Sequence, residues 1–142
     1  MEKHQDARAL VERITGLPGF TQAAGVEVMA ASPGRVTLGV ARRADLLQPN
    51  GYFHGGVIAG LADHAAGGAV TTALEGGQFA VTVNLQVSYL APADGERLIA
   101  RAHAVQAGRT IGVAQVEVSI ERDGAESPCA MATVTLRAVA AP

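Results

Sequence analysis

Residues 49–63 read Pro-Asn-Gly-Tyr-Phe-His-Gly-Gly-Val-Ile-Ala-Gly-Leu-Ala-Asp, and no other stretch gathers so many groups able to do chemistry. His54-Gly55-Gly56 opens a helix. Two glycines at a helix start let the first backbone N–H groups point outward with no side chain in the way, at the positive end of the macrodipole. Such a turn suits a carbonyl oxygen that becomes negative when its carbon is attacked, and fixed donors aimed at that oxygen contribute about 3–4 kcal/mol. His54 or Asn50 can add a side-chain donor or hold the turn. A glycine-rich start to an ordinary helix has the same appearance, so the turn alone does not decide.

Asp63 is the second candidate. An aspartate in the middle of a helix is unfavourable, and its helical neighbours three and four residues away are Ala59, Gly60, Ala66 and Gly67. Small residues there leave room for a ligand or another chain. No Lys or Arg occurs between Arg43 and Arg97. If the carboxyl is buried, desolvation raises its pKa toward what a general base needs; a solvated helix face is the alternative. Thr82, on the polar face of the next strand, can position a water or that carboxylate, or serve as an ordinary strand residue.

His64 is expected to point to another side of the helix in a structural role, and His4 and His103 carry no signal. The histidines form no HExxH or other short ligand spacing, so no metal is expected. Gly108-Arg109-Thr110 lacks the glycine and lysine of a phosphate loop, and no GxSxG elbow is present.

These groups need a scaffold. Leu10, Val11 and Ile14 at helical spacing predict a short amphipathic helix over 4–15, stopped by Gly16, Pro18 and Gly19. Two β-branched runs between Val26 and Val40 flank Ser32-Pro33-Gly34, which predicts a hairpin. A loop spans 45–53, and 56–74 is the one central segment long enough for a major helix, ended by Glu75-Gly76-Gly77. Strands follow at 80–90, 97–106, 110–122 and 129–138. In the first of them Val81, Val83, Leu85, Val87 and Tyr89 share one face, and Thr82, Asn84, Gln86 and Ser88 the other. The order predicts an α+β fold in one domain, 1–142, with one sheet of about six strands wrapped against one helix.

The 142 residues are 49 % hydrophobic and 17 % charged, enough to bury roughly 68–70 % of the unfolded chain's surface in a single core. Eleven basic residues face thirteen acidic ones, for a net charge of −2 with no Lys/Arg run, which argues against a nucleic-acid partner. A single cysteine, Cys129, excludes an internal disulfide and fits a reducing cytoplasm. No apolar leader opens the chain, and the apolar stretch 57–74 is interrupted by Asp63, His64 and glycines, so no membrane span is expected.

HGGVIAGLAD, TVNLQVSYLAPA and AGRTIGVAQVEV together resemble the hotdog-fold thioesterases, specifically the PaaI-like acyl-CoA group, over about 25–137. The resemblance implies a central helix wrapped by an antiparallel sheet, with subunits paired edge to edge into dimers and often tetramers. It implies that Gly56 supplies the backbone donor to the thioester oxygen and that Asp63 is general base or nucleophile. Thr82 stands where relatives carry Ser or Thr, and Asn50 in the place of an asparagine before the histidine. Gly55, Val83, Arg109 and Thr110 are the expected substrate contacts, Arg109 toward the nucleotide end of CoA. Leu47, Tyr52, Phe53 and Phe79 can line the acyl pocket or pack the core. No cofactor is expected, because CoA belongs to the substrate.

Acyl-CoA hydrolysis is thus the expected activity. A hotdog hydratase or dehydratase and a non-catalytic acyl-CoA-binding protein are the alternatives. Asp63 lies seven positions beyond Gly56, or about 10 Å along a helix rising 1.5 Å per residue. If both act on one carbon, a two-fold axis must bring them together from two subunits.

Overall fold

The computed structural model describes residues 6–141 of the protein. Its elements are helix α1 (Ala7–Thr15), helix α2 (Phe20–Ala24), strands β1 (Glu27–Ser32) and β2 (Arg35–Ala41), helix α3 (Gly55–Ala73), and strands β3 (Gln78–Tyr89), β4 (Arg97–Ala107), β5 (Gly112–Arg122) and β6 (Ala125–Ala140). The strands form one antiparallel sheet in the order β1-β2-β4-β5-β6-β3. It is the expected α+β arrangement, a long helix wrapped by six strands.

Helix α3 lies at the centre because little of its surface is polar. Ile58, Leu61, Ala62, Ala65, Ala66 and Ala69 are all buried, and their small size lets strands approach closely. At Gly112 the approach is so tight that a Cβ would lie 2.7 Å from Val70, below the separation two carbons tolerate. Along β5 and β6, alternate residues such as Val116, Val118, Val134 and Leu136 point into this core, as the two-residue strand period requires. Among the described residues no helix is long and apolar enough to cross a membrane.

Where the expected boundaries shift, the reason is local. Asp6 caps α1 by accepting from Ala9 N at 2.9 Å; the earlier residues of the expected 4–15 helix, His4 included, lie outside the described residues. Helix α2 is unforeseen: the chain restarts a single turn after Gly19 and ends it at Gly25, whose φ of 75° favours glycine. The last strand begins at Ala125 and not at 129, straight after a tight turn in which Asp123 and Gly124 have φ of 52° and 78°. Pro128 is tolerated beside a bulge, since Val118 pairs with Ala130 and Ser119 with Pro128, leaving Cys129 over.

A second bulge matters more. Thr82 pairs with Leu136 and Asn84 with Thr135, so Val83 is an extra residue in β3. One added residue reverses the facing of everything before it. Ala80, Leu85 and Val87 pack on the core and Thr82 reaches α3, whereas Val81 and Val83 are 39 % and 62 % exposed. The expected single face running from Val81 to Tyr89 therefore breaks at Val83. The bulge is what turns Thr82 inward.

Candidate active site

The start of α3 is held from two sides. His54 occupies the cap position in extended conformation, and its Nδ1 accepts a hydrogen bond from Gly56 N at 2.8 Å. Tyr89, at the end of β3, donates its hydroxyl to the Gly55 carbonyl at 2.7 Å. The Gly56 N–H, expected to face a ligand, is thus engaged within the chain. The Gly55 N–H has no hydrogen-bond partner among the described residues. With Nδ1 accepting from Gly56 N, the His54 ring has its N–H on Nε2, so that edge is a hydrogen-bond donor.

Gly55 and Gly56 open onto a cleft of about 630 Å³ that Gln48, His54, Tyr89 and Pro92 help to line. Gln48 was not foreseen. Its backbone N–H donates to Tyr52 O at 2.8 Å, which closes the loop, and its Nε2 donates to Phe53 O at 3.4 Å. The signal was its position six residues before His54, on the loop returning to the helix. Asn50, the residue proposed instead, turns away from the cleft's lining and accepts from Tyr52 N at 3.2 Å. Its role is to hold the loop turn.

Asp63 lies further down α3 and does not line that cleft. Thr82 Oγ1 donates to Asp63 Oδ1 at 2.6 Å, a second pairing of expected site residues, beside that of His54 with Gly56, that a single chain completes. None of the ion pairs among the described residues involves Asp63. The carboxylate is half-buried in one chain and not fully buried. Of the small neighbours expected to leave room, Gly60 is covered by Phe20, whose ring would lie 2.7 Å from a Cβ, while at Gly67 a Cβ would meet nothing within 4 Å.

The remaining candidates scatter. Val83 is the exposed bulge residue on the outer edge strand. Arg109 and Thr110 are exposed, and Arg109 lines a separate cleft of about 370 Å³ with Leu74 and Gln78. That cleft sits beyond the other end of α3, about 27 Å along the axis for eighteen residue steps. Phe53 is 1 % exposed and, with Leu47, packs on the core. Tyr52 is half-buried and outside the cleft lining, and Phe79 faces a different cavity.

His64 lines that same cavity. Burial pushes its pKa below the ordinary 6.5, against the opposing charge of Asp63. Its Nε2 lies 2.9 Å from Thr15 Oγ1. Cys129 is buried, and desolvation pushes its thiol up to about 11, so it is no nucleophile at neutral pH. Among the described residues no group of three or more His, Cys, Asp or Glu could hold a metal ion.

One helix thus carries two polar features at different points along it: a start with a free Gly55 N–H and a carboxylate oriented by a hydroxyl. The sequence profile of the thioesterase superfamily matches residues 50–127, which include both. A protein of Halobacterium salinarum bearing a provisional esterase name is 39 % identical over 127 residues, 86 % of this chain and 83 % of that one. The 1,4-dihydroxy-2-naphthoyl-CoA hydrolase of Listeria monocytogenes is 25 % identical over 105 residues, covering 74 % and 85 %. The crystal structure of a thioesterase family protein from Silicibacter pomeroyi superposes with a TM-score of 0.91 at 32 % identity, over 96 % of this chain and 100 % of that one. The chain belongs to the thioesterase superfamily and has its hotdog fold.

Proposed function

We propose that the protein hydrolyses acyl-CoA thioesters at sites built from two subunits. Asp63, oriented by Thr82, takes a proton from a water molecule as the water oxygen attacks the thioester carbon. The carbonyl oxygen becomes an oxyanion on the partner helix start, where the Gly55 N–H is the free donor and the helix dipole adds positive potential. Collapse of the tetrahedral intermediate breaks the C–S bond. The proton held by Asp63 passes to the departing CoA sulfur, leaving a free acid and CoA. All the groups invoked belong to the chain, and no cofactor enters.

The observation that carries this reading is the 2.6 Å contact between Thr82 and Asp63. A hydroxyl spent on Oδ1 leaves Oδ2, which has no partner among the described residues, to accept the proton from water. Gly55 and Asp63 are eight positions apart, about 12 Å along one helix, so a second chain must supply one of them. The twelve-residue strand β3 is an edge with its outer side unpaired within the chain, and such an edge is a template for pairing with another copy. The Listeria relative's name supports a CoA thioester as substrate.

The hydratase alternative wants His54 as a base, and its Nδ1 lone pair is already committed to Gly56 N. The test is release of free thiol from a panel of aliphatic and aryl acyl-CoAs. Steady turnover of at least one of them is expected. No thiol release from any, with thioesters bound and recovered intact, would leave a binding protein.

A further inference from the structure

A cavity of about 100 Å³ between α1, α3 and β3 has no part in the steps above. Its walls include residues that neighbour the Asp63–Thr82 pair on the same two elements. On α3, Gly67 follows Asp63 by four residues and Thr71 by eight, along one stripe of the helix. On β3, Ala80 shares the inward face with Thr82, two residues or about 7 Å further along. Gly67, on the cavity wall, faces open space, since a Cβ there would meet nothing within 4 Å.

The lining is apolar apart from three side chains. Thr71 Oγ1 accepts from Ala80 N at 3.0 Å. Thr72 Oγ1 accepts from Gly34 N and donates to Ala69 O, each at 3.0 Å. His64 spends Nε2 on Thr15, and its Nδ1 has no partner among the described residues. A polar atom without a partner on a largely apolar wall is how a pocket fixes the orientation of a ligand.

We propose, on the footing of the thioester hydrolysis above, that this cavity receives the far end of the acyl group and that His64 Nδ1 selects a chain bearing a hydroxyl there. A closed cavity of about 150 Å³ is what holds benzene, and the smaller space here suits the slim cross-section of an unbranched aliphatic chain. The substrate class is therefore a hydroxylated straight-chain acyl-CoA. Burial keeps the imidazole uncharged at neutral pH. A hydroxyl both donates and accepts, so it pairs with Nδ1 in either tautomer.

The test compares acetyl-CoA, hexanoyl-CoA, benzoyl-CoA and hydroxyhexanoyl-CoAs differing in hydroxyl position. Ratios of kcat/KM are read in the wild type, His64→Leu and Gly67→Leu, with His64→Ala as substitute should the leucine variant not fold. The best hydroxyhexanoyl thioester should exceed hexanoyl by about tenfold, the worth of one added hydrogen bond, and His64→Leu should bring that ratio to about one. Gly67→Leu should lower the ratio of hexanoyl to acetyl. No hydroxyl preference in the wild type, or one unchanged in both His64 variants, overturns the role of His64. An unchanged hexanoyl-to-acetyl ratio in Gly67→Leu overturns the cavity assignment. If the wild type hydrolyses nothing, the same ratios are read as Kd values. Binding that depends on the hydroxyl and on His64 would then keep the cavity and sink the hydrolase, and binding without that dependence would sink both.

Discussion

Thr82 Oγ1 sits 2.6 Å from Asp63 Oδ1, and it does so because a one-residue bulge at Val83 turns it toward the helix. The pair couples a strand distortion to the orientation of a carboxylate. Bulges re-aim side chains in this way near active sites.

Replacing Asp63 with Asn keeps the shape and removes the base. Turnover of the best acyl-CoA should fall about 10²–10⁴-fold, with the melting temperature little changed. A folded Asp63→Asn enzyme with wild-type kcat would remove Asp63 from the mechanism.

Thr82→Ala takes away the orienting hydroxyl and leaves the carboxylate. The expected loss is about tenfold in kcat, the scale of one hydrogen bond to a charged group, and Thr82→Ser should restore most of it. A loss exceeding that of Asp63→Asn would reverse the assigned roles.

At the helix start the two glycines separate by substitution. Proline is tolerated at the first helical position, so Gly55→Pro deletes one N–H and keeps the helix. Gly55→Ala is its control, since it keeps the N–H while any Cβ at this position comes within 3.2 Å of the Tyr89 hydroxyl oxygen. Hydrolysis should drop about 10²–10³-fold in the proline variant and far less in the alanine variant. Equal losses would mean that crowding against Tyr89, and not a missing donor, is at fault.

His64 gives a stability prediction with a sign. Its folded pKa lies below the ordinary 6.5, so between those two values the unfolded chain binds the proton more readily. The stabilisation is fully present above 6.5 and is lost as pH falls through the folded value. Urea midpoints should decline from pH 7.5 to pH 5, and His64→Leu should flatten that decline. An unchanged slope would show that His64 is not the group responsible.

Much of this was legible in the residues. The proline-free stretch rich in Ala, Val, Leu and Ile after His54 marked α3, and Asp123-Gly124 marked its turn. What escaped depends on contacts distant in sequence or on single-residue slips. A strand pattern cannot show the extra residue at Val83, since alternation before and after it looks unbroken. The choice between Gly55 and Gly56 turns on which N–H the His54 ring captures, a matter of cap geometry. Asn50 stood out in the sequence and Gln48 did not, because a loop's fold decides which amide returns to the cleft.

The shared site is the centre of the account, and co-expression of two crippled chains tests it most directly. Chains carrying Gly55→Pro and Asp63→Asn, each with its own tag, are purified as heterodimers. One site then collects both lesions, and the other is assembled from the intact helix start of one chain and the intact Asp63 of its partner. Activity near half that of the wild-type dimer is predicted, although each parent homodimer is almost inactive. Folded heterodimers as inactive as their parents would contradict it.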